Sequence, residues 1–394
     1  MSLTHWLWLS GLPRLSISLK HALLQHFGNP EQVYFADETQ YLLVEGITPE
    51  HAALLADKSL SSANRVLGEC ERLGLRTVTL QDADYPNRLK NCMLPPLVLY
   101  VQGQMFQFDD EVAIAVVGSR SCSPYALRMG EKIAYQMAEL GGLVVSGLAA
   151  GGDAAAHRGA LLAGGKTAAV IAGGHDIPYP PENRSLYREI AVRGVIVSEY
   201  PPGTHPTATR FPARNRLMSG LCLGTLVLEA PAHSGALITA GYALEQGRDL
   251  YALPGLADDR RALGSNRLLR DGANLVLEGW DVVSLYAPRF PHRLRRIAPA
   301  PPPHLVPTTE QLDAHAPLPE PPVNRKPSAA LQDLPPDQQA ILRAMGQGMS
   351  KIDDLIDETQ IPTHRLLSAL TLLEIDRMVE KQEGSRYGLL VDLQ

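Results

Sequence analysis

The sequence predicts an α/β protein: a Rossmann-like, doubly wound, mostly parallel sheet, with a small helical segment before it and a winged-helix-like segment after it. Six strand-length apolar runs, at 112–117, 142–145, 167–171, 194–197, 225–228 and 250–253, lack the polar alternation of a half-solvated strand. A strand without alternation is buried on both faces, which requires helices above and below a parallel sheet. Helical segments do separate the runs, around 125–140, 153–163, 186–193, 211–221 and 235–246. In such sheets ligands gather beyond the carboxyl ends of the strands, so the loops after these runs are where function is sought.

Residues 1–75 come first. Leu19, Leu23, Leu24 and Phe27 recur at helical spacing before Gly28-Asn29-Pro30, and a second unit follows Val44-Glu45-Gly46-Ile47-Thr48. The pattern resembles a helix-hairpin-helix or SAM-like module. A plain packing domain explains it as well, because the hairpin glycines form one imperfect copy without nearby Lys or Arg. Residues 76–111 read as a connecting extension, with strand-like runs at 77–80 and 96–101 and a turn at Asp84-Tyr85-Pro86.

The sheet domain spans 112–285. Prolines then crowd residues 286–332, which marks a linker opened by the basic cluster Arg289, His292, Arg293, Arg295 and Arg296. Residues 333–394 give three short helices, at 339–345, 352–357 and 366–373, and a wing around Gly384. This order resembles a winged helix. It carries more Asp and Glu than Lys and Arg, and its recognition helix has Arg365 as its one fixed cation. A surface for docking protein is the expectation.

The 394 residues carry a formal net charge of −6, so no global field draws the chain onto nucleic acid. Any such binding must be local. The four cysteines form no CxxC pair, which points to reduced thiols and no metal. The amino terminus lacks the form of a signal peptide, and no apolar run reaches the ~20 residues of a membrane span. A cytoplasmic protein is expected.

Local charge is found in the loops. Gly118-Ser119-Arg120 combines close backbone approach, a hydroxyl donor and a guanidinium fork. It is not GxGxxG, and no ribose-binding acid ends the second strand, so no dinucleotide cofactor is expected. Ser146-Gly147-Leu148 leads to Asp153, an expected N-cap. Asp153 and His157 share a helical face, in a metal pair or, by preference, a structural hydrogen bond. Gly165-Lys166-Thr167 is P-loop-like, but Lys166 enters a strand and is left as local charge.

His175 reads as a loop residue making hydrogen bonds. Glu199 and Glu229 end what look like neighbouring strands, either as a glycosidic acid–base pair or as orienters of the arginines. Arg210-Phe211-Pro212-Ala213-Arg214-Asn215-Arg216 places three guanidiniums and a ring within seven residues, groups that suit phosphate and nucleobase. Ser234 caps the next helix and turns its positive end toward the same crevice. Together these loops form a rim for binding a phosphate polymer, without a catalytic trio.

Gly118-Ser119-Arg120, Ser146-Gly147-Leu148, Tyr179-Pro180-Pro181-Glu182-Asn183, Ser198-Glu199-Tyr200-Pro201, Phe211 through Arg216, Ser234 through Ala240 and Pro254-Gly255 occur in one order. That ordered set resembles the DNA-processing protein A (DprA/Smf) family. The resemblance implies sequence-independent binding of single-stranded DNA and loading of a RecA-type recombinase during natural transformation. It also implies a homodimer through the core and no enzymatic chemistry.

By motif, Ser119, Arg120, Gly147, Phe211, Arg214, Asn215 and Arg216 would line the DNA pocket, with Ser234, Gly235 and Thr239 as further contacts. Backbone N–H groups of Gly118, Ser119 and Gly147 would hold phosphates, countered by Arg120, Arg214 and Arg216. Phe211 would either stack on a base or pack under its loop. Ala150 stands where the family usually has a basic residue. The rival reading is a lysine-decarboxylase-like (LOG) enzyme cleaving nucleoside monophosphates, whose PGGxGTxxE loop the chain lacks.

Overall fold

The computed structural model describes residues 2–295, 334–346, 351–376, 378–382 and 386–390. The chain divides into two compact units, Met1–Ala298 and Pro299–Gln394. The proline-rich stretch at 296–332 and the wing residue Gly384 lie outside the described residues.

The first unit is built on a nine-stranded sheet. Its strands are β1 (Arg76–Thr79), β2 (Val98–Gly103), β3 (Ala113–Val117), β4 (Leu143–Ser146), β5 (Lys166–Val170), β6 (Val195–Ser198), β7 (Gly224–Val227), β8 (Asp249–Ala252) and β9 (Asn274–Leu275). They lie in the order β1-β2-β6-β5-β4-β3-β7-β8-β9. From β6 to β9 all neighbours pair in parallel, whereas β2 runs antiparallel to both β6 and β1.

The six expected core strands are all present, each shifted by about a residue. The 76–111 segment requires a correction. It does not merely connect, because its two strands extend the sheet and Tyr100 of β2 pairs with Ser198 of β6. Strand β9 was not foreseen, being two residues long and polar at Asn274.

Burial on both faces follows the period of two. Ala113, Ala115 and Val117 of β3 point to one core with Leu217, Met218 and Leu221 of helix Arg210–Leu221. Ile114 and Val116 point to the other, with Ile133 and Met137 of helix Pro124–Glu139. The alternation expected of a half-solvated strand is missing because each face has its own apolar layer. Ser123 starts helix Pro124–Glu139 by accepting from the Ala126 N–H, ahead of a proline at the first helical position. Gly264, Ser265 and Asn266 lie within helix Leu263–Arg270.

The amino-terminal helices share this unit. Trp6, Trp8, Leu23 and Tyr41 pack with Leu97, Val98 and Tyr100 beside and within β2. Lys58 Nζ sits within 4.9–5.7 Å of the Trp8, Tyr34 and Tyr41 rings and donates to the Ala36 carbonyl at 3.0 Å. That cation closes the helical layer.

In the second unit, helices Pro336–Gly346, Ile352–Thr359 and Thr363–Ile375 precede an antiparallel pair, Val379–Gln382 with Arg386–Leu389. Ile341, Leu355, Leu366, Leu370 and Tyr387 form its core. Helix Thr363–Ile375 leaves Leu367, Leu372 and Ile375 exposed, and Arg365 is paired with Asp337 at 2.7 Å. Among the described residues no helix is long and apolar enough to cross a membrane.

Candidate nucleic-acid interface

The strand order makes β3 and β7 neighbours. The chain leaves β3 toward β4 and leaves β7 toward β8, in opposite directions. Loops that part in this way open a crevice at the carboxyl edge. A cleft of about 320 Å³ lies there, and Gly118, Ser119, Arg120, Phe211, Arg214, Asn215, Ser234, Gly235 and Thr239 all border it. Three of the expected residues lie elsewhere: Gly147 lines a small neighbouring pocket with Tyr179 and Phe211, Arg216 lies beside another cavity, and Lys166 on the opposite edge.

The loop after β3 is braced by its own protein. The Ser119 N–H donates to the Glu229 carbonyl at 2.8 Å. Both carboxylate oxygens of the buried Glu229 accept from Ser123, from N–H at 2.8 Å and from Oγ at 2.5 Å. Glu229 therefore shapes the loop. Glu199 is not its neighbour, because β5, β4 and β3 stand between β6 and β7. The glycosidic pairing expected as one alternative is thus geometrically excluded.

The second loop is likewise satisfied from within. Asp153 is not the N-cap. Gly151 takes that place at φ 77, where a side chain would be strained, and Asp153 follows in the first turn of helix Gly152–Leu162. Its carboxylate is buried, and accepts from the Ala149 N–H at 3.3 Å. Burial pushes its pKa up, while Arg214 and the backbone N–H groups of Ala149, Gly118 and Gly147 pull it down. An internal carboxyl group thus sits where phosphate was expected.

Arg214 completes this inner layer. At 3% exposure its guanidinium donates to the carbonyl of Gly147 at 2.6 Å and to that of Val170, and Nε donates to Asn215 Oδ1 at 3.1 Å. Burial lowers its pKa to about 10, opposed by Asp153. Gly147 is required because a Cβ would run into this guanidinium. Arg214 therefore ties β4 to β5 while also bordering the cleft.

Arg216 is also tied inward. It binds Glu199 Oε2 at 2.5 Å and the Leu94 carbonyl at 2.9 Å, beside a groove of about 1020 Å³ between the amino-terminal helices and the sheet. Burial pushes the Glu199 carboxyl up and Arg216 pulls it down. Lys166 begins β5, so it lies at the amino edge, bonded to Glu111 at 2.5 Å. It has no place in the cleft.

The exposed Arg120 and Tyr179, with the half-buried Arg210, Phe211 and Tyr200, form the outer layer. The Arg120 guanidinium lies 4.7 Å from the Phe211 ring centroid, and the Tyr179 ring stands 5.6 Å from Phe211 at 51°. The adjacent Arg210 lies 5.3 Å from the Tyr200 ring. Ser234 caps helix Gly235–Glu245 by accepting from the Ala236 N–H at 3.2 Å, so its positive end faces the cleft. Asn215 Nδ2 donates to the Gly235 carbonyl at 3.3 Å, and Thr239 is buried against the same carbonyl. Sequence reasoning used Tyr179 and Tyr200 as motif members only. The signal available was an aromatic beside proline in each of two loops at the binding edge.

His157 and His175 are internal. His175 is bonded to Tyr187 Oη and the Tyr100 carbonyl, each at 3.0 Å, and burial lowers its pKa to about 4. His157 Nδ1 is 2.7 Å from Thr167 Oγ1, and burial lowers its pKa to about 3. Among the described residues no cluster of three or more metal-ligating side chains occurs.

A mostly parallel sheet with a guanidinium-capped aromatic rim at its switch point, followed by a winged helix, defines a Rossmann-like α/β protein with a second, winged-helix unit. The family model described as DNA recombination-mediator protein A matches residues 76–287, and the DprA winged helix domain matches 325–385. The chain belongs to this DprA/Smf family.

Protein Smf of Synechocystis sp. is 33% identical over 97% of this chain and 98% of its own. DNA processing protein DprA of Streptococcus pneumoniae is 42% identical over 52% of this chain and 72% of its own. The X-ray structure of DNA processing protein A from Streptococcus pneumoniae superposes with a TM-score of 0.64 at 34% identity, covering 72% of this chain and 98% of that one.

Proposed function

We propose that the protein binds single-stranded DNA without sequence preference, shields it in the cytoplasm, and loads a RecA-type recombinase on it during natural transformation and recombination. Membership of a family described as recombination mediators supports the role. The observation that carries the binding site is the Arg120–Phe211–Tyr179 stack at the mouth of the switch-point cleft. Arg120 is free to meet backbone phosphate, and the rings offer faces to unpaired bases, worth roughly 1–3 kcal/mol per base. Arg214, Asn215, Asp153 and Glu229 hold the rim in shape without touching the strand.

Binding, with no bond made or broken, is the activity proposed. The enzymatic alternative needs a free acid–base pair, and Asp153, Glu199 and Glu229 are each engaged in holding loops or arginines. The homodimer would form through the outer edge of the sheet. There the short β9 presents exposed Leu275, with Leu277 exposed just beyond it. The exposed Leu367, Leu372 and Ile375 give the second unit a surface for protein.

Fluorescence anisotropy with labelled oligo-dT and a matched duplex, at two salt concentrations, tests the reading. Tighter binding of the single strand is expected, with log affinity falling by about 0.7 per phosphate contact for each decade of salt. Equal binding of both, or release of free base from nucleoside monophosphates, would refute it.

A further inference from the structure

Arg210 and Phe211 are neighbours on the first turn of one helix, yet their aromatic partners face different cavities. Phe211 borders the switch-point cleft and, with Tyr179, a small pocket next to it. Tyr200, under the Arg210 guanidinium, lines the groove of about 1020 Å³ that separates the sheet from the amino-terminal helices. The rows meet at the 201–206 turn, where the Arg210 guanidinium donates to the His205 carbonyl and Pro206 reaches the Tyr179 pocket.

Tyr179 is 45% exposed and serves no core, so its ring is available. We propose that a bound single strand leaves the cleft over Tyr179 and Tyr200 and continues into this groove, making the amino-terminal helical layer part of the nucleic-acid site. The path rests on the single-strand reading above.

The groove's chemistry says which part of the strand it takes. Its Glu199 is matched by Arg216, and Lys20 and Arg65 share its lining with Asp57, Glu69 and Asp176. Such a balance offers phosphates no net attraction. Tyr200 and Pro201 on one wall and Leu12 and Pro13 on the other offer flat apolar faces instead. Bases and sugars would lie against these faces with phosphates turned to solvent. The added affinity should therefore depend on strand length and hardly on salt, unlike the contacts of Arg120.

The test compares oligo-dT of about 6 and about 20 nucleotides, lengths that bracket a single-module site, by anisotropy on the full chain. One variant is Tyr200→Ala, which removes an aromatic face of the groove and leaves the Arg120–Phe211–Tyr179 stack in place. A second, Ser62→Trp, fills the groove from an exposed position on helix Ser61–Leu73 and leaves the sheet untouched. Both should bind the short strand as the parent does and the long strand about tenfold more weakly, with an unchanged salt slope. Undiminished long-strand affinity in both folded variants overturns the path, as does an equal loss on both lengths. A parent protein that binds neither length overturns the single-strand reading itself and the path with it.

Discussion

The first and second turns of helix Arg210–Leu221 carry the same residue types to opposite ends. Arg210 and Phe211 in the first turn face outward, laid against Tyr200 and under Arg120. Arg214 and Arg216 in the second face inward, against the carbonyls of Gly147 and Val170 and against Glu199. Arg210 and Arg214 are four apart and so share a helix face, and what separates them is depth: the first turn is half-buried at the rim, whereas Arg214 is buried. An arginine-rich motif is thus two structures: an outer layer that can meet a ligand, and an inner layer that fixes the loops the ligand meets.

The comparison breaks most visibly at Arg214. Arg214→Ala leaves the buried carbonyls of Gly147 and Val170 without their charged donor, so unfolding free energy from denaturant titration should fall by about 3–5 kcal/mol. Unchanged stability would move Arg214 to the outer layer.

His175 sharpens the inner set through pH. The unfolded chain takes up its proton near 6.5 and the folded chain only near 4. The neutral imidazole's contribution is therefore whole above pH 6.5 and is lost as pH falls toward 4, by up to about 3 kcal/mol. Denaturation midpoints of the parent and His175→Gln should converge over that window. Curves that stay parallel would contradict the assignment.

Arg120→Ala belongs to the outer set. Stability should stay within about 0.5 kcal/mol, while oligo-dT affinity drops about tenfold and the salt slope loses about 0.7. The smallest effect is expected from Lys166→Ala. Lys166 is half-exposed and its buried partner Glu111 keeps Arg293 at 3.5 Å, so stability should fall by only about 1 kcal/mol, and single-strand affinity should not move.

Much of the architecture was legible because burial on two faces leaves a plain mark: unalternated apolar runs such as 112–117 become β3 and its neighbours. Strands β1 and β2 were legible as strands but not as members of the sheet. Nothing local in Thr77-Val78-Thr79 says that Tyr100 will pair with Ser198. Nine of the twelve candidate site residues do meet at one cleft, because sheet order brings loops at 118, 211 and 234 together.

What stayed hidden was direction. Whether an N–H faces solvent or a carboxylate depends on long-range partners such as Asp153 and Glu229, which spacing alone cannot supply. Lys166 failed for a simpler reason. A residue that begins a parallel strand lies a strand's length from the carboxyl edge.

Photocross-linking of iodouracil-substituted single strands to the intact protein, with mass-spectrometric mapping of the modified peptides, tests most directly where the strand lies. The outer-layer account predicts adducts at Phe211 and Tyr179. Adducts confined to the amino edge, around Lys166 and Arg289, or to residues 334–390, would contradict it.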